Sequence, residues 1–175
     1  MESIPMDQQR LVDFLTDTET SLLGRDYFLL RLEEEFKKSW RYRWPLALVV
    51  AEVDGFDVIR SEDGERGMRQ TLLDISGELL SASRDTDLSS RIAENRFALL
   101  LPGTDAVGAS AFVERVLRNV AEGSFGRLVL HIGSASAPQD DMGTADEFMA
   151  RAVTGAREAR ARGRNLHVNW DQPSR

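Results

Sequence analysis

The sequence predicts an α+β palm: a central, mostly antiparallel sheet of ferredoxin-like arrangement, flanked by helices. Three observations predict it. Helical and strand-like runs alternate in the order helix, strand, helix, hairpin, helix, strand, helix, strand. Two of the strand-like runs lie so close together that they pair as a hairpin. A strand and helix before that hairpin, and a helix and strand after it, make the split arrangement of such palms. With 175 residues, 42% of them hydrophobic, the chain has the size and apolar content of one domain with one core. It contains no internal repeat and no low-complexity segment.

The elements follow in order. A short helix is expected over about Asp7 to Leu15, and the polar run Thr16 to Ser21 sets it off as an appendage. Asp26 to Trp40 carries Phe28, Leu32, Phe36 and Trp40 near helical spacing, with Pro45 as a stop. Leu46 to Asp54 (LALVVAEVD) is short and β-branched and reads as a central strand. A helix follows over about Glu65 to Ser81, with Met68, Leu72, Ile75 and Leu79 on one side. The runs Asp87 to Ile92 and Arg96 to Pro102 form the hairpin, joined by Ala93-Glu94-Asn95. Asp105 to Glu122 is helical, with Ala109, Phe112, Val113, Val116 and Val120 as its apolar face. Arg127 to Ala137 is a strand, Thr144 to Arg162 a helix, and Leu166 to Trp170 a last short strand. The domain is expected over 17–170, with residues 1–16 an N-terminal helical appendage or linker and 171–175 a tail.

Composition removes several function classes. A net charge of −7 and a pI near 4.9 oppose general binding of nucleic acid or anionic membrane, which needs a positive field. Arg supplies 20 of the 22 basic residues, and its planar fork suits phosphate, carboxylate and guanine edges. There is no Cys, and His131 and His167 are far apart in sequence, so no disulfide framework, zinc site or cysteine nucleophile is expected. No signal pattern opens the chain and no apolar run approaches a bilayer span. A cytoplasmic protein without membrane insertion is the expectation.

Candidate chemistry begins at the end of the first strand. Alternation places Glu52 and Asp54 on one face. Paired carboxylates there read equally as a magnesium site or as a solvated strand end.

At these residues the chain resembles GGDEF domains, the nucleotidyl-cyclase-type palms that make cyclic di-GMP. Asp17-Thr18-Glu19-Thr20-Ser21-Leu22-Leu23-Gly24-Arg25-Asp26-Tyr27-Phe28 is similar to the family's opening DxLTGLxNRRxF. Glu52-Val53-Asp54-Gly55-Phe56-Asp57-Val58-Ile59-Arg60-Ser61 lies along its DIDxFKxxND, and Gly163-Arg164-Asn165 matches its GRN. The signature hairpin, RYGGDEF in active members, falls on Arg91-Ile92-Ala93-Glu94-Asn95-Arg96-Phe97, which keeps the flanking Arg91 and Phe97.

By that resemblance the two glycines that admit GTP are Ala93 and Glu94, and the acidic pair is Asn95 and Arg96. The first-strand metal ligand is Glu52. Across these metal-site positions the charge goes from about −3 to about 0, which weakens divalent-cation binding. The family's guanine-recognising Asn and Asp fall on Arg60 and Arg69, which cannot accept from guanine N1–H and N2–H₂. The resemblance therefore implies a degenerate active site with no catalytic residue, no metal and no cofactor, and the chain is expected not to be an enzyme.

The family's inhibitory product site, RxxD followed by five residues and then the signature, is matched by Arg84-Asp85-Thr86-Asp87 ahead of Ala93. Arg donates to guanine O6 and N7 or to phosphate, and Asp accepts from N1–H and N2–H₂. The family's second Arg, on the following helix, corresponds to Arg115. Arg10-Leu11-Val12-Asp13 also spells RxxD, so the spacing carries the signal, and a plain Arg84–Asp87 surface ion pair is the alternative. Arg160 and Arg164 match basic family positions near phosphates, in a stretch that also carries Arg151, Arg157 and Arg162, and a solvated basic face is the alternative. Trp40 and Trp44 flank Arg41-Tyr42-Arg43, which reads either as an exposed partner surface or as core packing of at least one Trp. The reading is a cyclic di-GMP receptor signalling through self-association or a protein partner. Its rival is a nucleotide-independent adaptor on the same palm.

Overall fold

A computed structural model describes residues 6–123, 125 and 127–171. The elements are α1 (Met6–Leu15), α2 (Arg25–Tyr42), β1 (Leu46–Asp54), α3 (Phe56–Ala82), β2 (Leu88–Ala93), β3 (Arg96–Pro102), α4 (Ala106–Glu122), β4 (Val129–Ala137), α5 (Ala145–Arg162) and β5 (Leu166–Asn169). Five strands make one sheet in the order β2-β3-β1-β4-β5. β1 is antiparallel to β3 and β4, β2 is antiparallel to β3, and β4 runs parallel to β5. The mostly antiparallel, helix-flanked sheet is the one the sequence predicts.

The central strand explains its own composition. Ala47, Val49, Ala51 and Val53 pack into a core with Leu72, Ile75 and Leu79 of α3 and Val113 and Val116 of α4. Leu46, Leu48 and Val50 pack on the other side with Phe28 and Phe36 of α2 and Phe148, Ala152 and Ala156 of α5. Both faces are covered, so the strand reads as a continuous apolar run. Glu52 and Asp54 continue the second of these faces, at the end toward which α5 runs.

Close approach of α5 to the sheet depends on Gly133 in β4. A Cβ there would stand 2.0 Å from the Ala152 carbonyl oxygen and 2.2 Å from the Ala156 nitrogen, so a side chain would push the helix off the strand. Two helix starts are set by side chains the sequence reading placed inside the helices. Asp105 Oδ1 accepts from the Gly108 N–H at 2.8 Å, and Thr144 with Glu147 forms a capping box on α5.

Two boundaries differ from expectation. α3 starts at Phe56, nine residues before the predicted Glu65, because Phe56 and Ile59 are buried one turn apart. Gly64, at φ 70° and ψ −173°, kinks the helix between its two stretches, and its polar surroundings break the apolar period. The hairpin turn is two residues, Glu94 and Asn95, rather than three. Ala93 belongs to β2, and a register shift between Arg91 and Ala93 absorbs the extra residue.

α1 rests against α2 with Phe14 edge-on to Tyr27, ring centres 6.0 Å apart. The segment after it straps the β2 edge: the Leu23 N–H donates to the Ser89 carbonyl at 3.0 Å and Ser90 Oγ to the Leu23 carbonyl at 2.8 Å. Residues 1–5 of the expected appendage and 172–175 of the expected tail lie outside the described residues. Among the described residues no helix is long and apolar enough to cross a membrane.

Candidate nucleotide site

The predicted carboxylate pair is present at the end of β1, and each member is already matched with a cation. Arg96 lies directly across the ladder from Glu52, and its Nε donates to Glu52 Oε1 at 2.9 Å. Asp54 Oδ2 takes Arg160 Nη2 at 3.1 Å and lies 3.2 Å from Nε2 of the buried His131. Arg160 therefore does reach this end of the sheet. With a guanidinium on each carboxylate, Glu52 and Asp54 do not fit a divalent cation in this arrangement. Among the described residues no group of three or more His, Cys, Asp or Glu gathers as a metal-binding cluster.

Beside this strand end, α3 and the hairpin turn enclose a cavity of about 460 Å³ lined by Asp17, Glu19, Arg60, Glu65, Met68, Arg69, Arg91, Ile92, Ala93 and Glu94. Its polar groups hold one another. Arg60 Nη2 donates to Glu94 Oε1 at 2.9 Å, its Nε is 3.0 Å from Glu65 Oε1, and its Nη1 reaches Asp57 at 3.4 Å. The Glu94 hydrogen bond is the largest of the influences that raise the Arg60 pKa. The Arg91 side chain is buried. Its Nε and Nη2 donate to the Glu94 carbonyl at 3.0 and 2.9 Å, and its Nη1 pairs with Glu19.

Glu94 also borders a second cavity, of about 210 Å³, with Val53, Asp54, Gly55, Phe56, Asp57 and Asn95. Around Glu94 these two cavities gather Asp54, Arg60, Arg69, Ala93 and Asn95, with the Glu52–Arg96 pair on the adjoining β1–β3 ladder. Glu94 turns its carboxylate to Arg60 and leaves open space on both sides.

The loop from α3 to β2 gathers the other three predicted residues. Asp87 Oδ2 accepts from the Arg84 backbone N–H at 2.7 Å, and the Asp87 N–H donates to the Arg84 carbonyl at 3.0 Å. Arg115 of α4 donates from Nη2 to the Ala82 carbonyl at 2.7 Å and stacks over Phe112 at 5.3 Å. The Arg84 guanidinium does not pair with Asp87, and among the described residues it has no partner. Asp87 Oδ1 is shielded from solvent and accepts no hydrogen bond. Arg10 and Asp13, the other RxxD, lie on α1, where Asp13 accepts from Gln9 at 2.8 Å.

A family model described as "Diguanylate cyclase, GGDEF domain" matches residues 14–166. The chain belongs to the GGDEF family. It is 32% identical over 107 residues to diguanylate cyclase DgcP of Pseudomonas aeruginosa, covering 61% of this chain and 16% of that protein. It is 25% identical over 175 residues to diguanylate cyclase A of Treponema denticola, covering 94% of this chain and 47% of that one. The chain thus spans less than half the length of these curated relatives. The GGDEF domain of DgcB from Caulobacter crescentus, solved in complex with cyclic di-GMP, superposes with a TM-score of 0.84 at 18% identity, over 91% of this chain and 98% of that one.

These relatives overturn the expectation that the chain is not an enzyme: the family and the named proteins point to enzymes. That expectation counted replaced side chains one at a time. Cavities of about 460 and 210 Å³ lie on either side of Glu94.

Several site residues escaped the sequence reading. Asp57 and Glu65 hold Arg60 from either side of the Gly64 kink, and reading the helix back to Phe56 would have placed them. Arg91 was noted only as a flank of the signature, yet it clamps the turn. Its partner Glu19 lies 72 residues earlier, and no local pattern signals that contact. His131 beside Asp54 is likewise a cross-strand neighbour of Glu52, visible only once the β1–β4 register is known.

Proposed function

We propose that this GGDEF domain binds cyclic di-GMP at the α3–β2 loop through Arg84, Asp87 and Arg115, and that the bound ligand acts by promoting protein association. One observation carries the reading: Asp87 Oδ1 is a buried acceptor without a donor, on the same turn as an unengaged arginine. Such an orphan acceptor is costly to leave unmatched. Guanine N1–H and N2–H₂ are donors of the matching kind, and its O6 and N7 accept from Arg. Arg115, tied to the Ala82 carbonyl two residues before Arg84, supplies a second cation at the same corner.

The association half rests on the far end of α2. Trp44 and Tyr42 are 61% and 50% exposed, with rings 5.0 Å apart and Arg41 over Tyr42, a composition typical of protein interfaces. Trp40, by contrast, is half-buried against the core and donates to the Met142 carbonyl at 3.1 Å.

Equilibrium dialysis of labelled cyclic di-GMP tests the reading. Binding lost in Arg84→Ala and retained in Arg10→Ala supports it. Equal binding by both variants places the ligand elsewhere, and no binding by wild type contradicts the proposal.

A further inference from the structure

We infer that α1 of one molecule seats in the groove between α2 and the start of α5 on a second copy of this chain. The inference deepens the association half of the proposed function and rests on it for its role, while the contact itself needs no nucleotide. The groove holds about 910 Å³, and Leu29, Leu30, Phe36, Trp40 and Met149 line it. Leu30 is 49% exposed. At its far end the groove runs through Arg41 into the exposed Tyr42 and Trp44.

α1 is the matching piece. Its Leu11, Val12 and Phe14 are 56%, 42% and 39% exposed, although a helix of ten residues needs a packed apolar side to be stable. The joint to α2 explains why it finds none in its own chain. The Gly24 N–H donates to the Leu15 carbonyl at 2.9 Å, and Thr16 bridges Leu23. The Phe14 carbonyl oxygen comes so near Gly24 that a Cβ there would stand 2.3 Å from it. This joint fixes the direction of α1 at the first turn of α2, with Leu11 and Val12 turned to solvent, so the groove is open to a helix from another molecule.

Length and charge both fit. Ten residues of helix span about 15 Å, and the stretch of α2 from Leu29 to Trp40 that lines the groove spans about 16 Å. Glu33 is spent on Lys37 at 2.6 Å, whereas among the described residues Arg41 and Asp146 have no ion-pair partner. Arg10 and Asp13 bracket Leu11 and Val12 on α1 and offer each of them the opposite sign. A groove with one unspent charge of either sign suits a peptide segment carrying both, rather than an anionic lipid.

Sedimentation velocity without nucleotide tests the contact on the wild type, Leu11→Glu, Leu30→Glu and an equimolar mixture of the two variants. A contact this small calls for protein at about 0.1–1 mM. The wild type should associate, and each variant by itself should associate at least about tenfold more weakly. The mixture should regain association, because one variant keeps an intact groove and the other an intact α1. Both replaced leucines are exposed, and matched thermal melts check that the variants are folded. A mixture as monomeric as its components, as pairing of α1 with α1 or of groove with groove would give, overturns the inference. So does a wild type that stays monomeric over the whole range. With no nucleotide present, these outcomes are separate from binding at Arg84 and Asp87.

Discussion

Arg96 and Glu52 face each other across the β1–β3 ladder, and the arginine neutralises a carboxylate whose side chain is only 6% exposed. Removing the cation leaves that charge buried and unpaired. Arg96→Ala is expected to cost about 2–4 kcal/mol, less than a fully enclosed pair because the guanidinium is itself partly in water. Replacing both residues with Leu should recover most of the loss. Urea denaturation of the wild type and the two variants measures this, and an Arg96→Ala loss within experimental error would mean that water already solvates Glu52.

His167 gives the fold a pH dependence of defined sign. Burial pushes its pKa down from 6.5 to about 4, and Ser134 Oγ lies 2.7 Å from its Nε2. Between those values the unfolded chain takes up a proton that the folded chain refuses, so stability falls as pH drops from 6.5 toward 4. The loss from this group is up to about 3 kcal/mol. His167→Asn should flatten that part of the profile in thermal melts, and an unchanged slope would place the titration elsewhere.

Most of the architecture was legible because each element carries its own period. Leu46 to Asp54 reads as a central strand from its short, β-branched run, and α4 shows its apolar side directly. α3 was legible only after its kink, since Gly64 at positive φ interrupts the repeat that Phe56 and Ile59 begin. The candidate site was legible as a set of positions along the chain. Its internal pairing was not, because Arg91 with Glu19 and His131 with Asp54 are contacts between segments 72 and 77 residues apart. The replaced signature residues were also legible, but a tally of lost side chains misjudged the domain as a non-enzyme, against its diguanylate cyclase relatives.

If bound cyclic di-GMP joins surfaces, mass action requires the ligand to favour the associated state. Light scattering of the wild type should show a larger mass with ligand than without it. Arg115→Ala should bind more weakly and associate less at the same ligand concentration. A wild type that binds the ligand and remains monomeric, with Arg115→Ala binding equally well, would remove self-association and assign Arg115 to the Ala82 contact alone.

Calorimetric titration of cyclic di-GMP into the wild type, Arg84→Ala and Asp87→Ala tests the central claim most directly. Each charge-assisted contact removed should cost about 1.5–3 kcal/mol, at least tenfold in affinity, while Asp13→Ala on α1 should bind as the wild type does. Titrations in which the wild type binds and both loop variants match it would contradict the assignment of the α3–β2 loop as the cyclic di-GMP site.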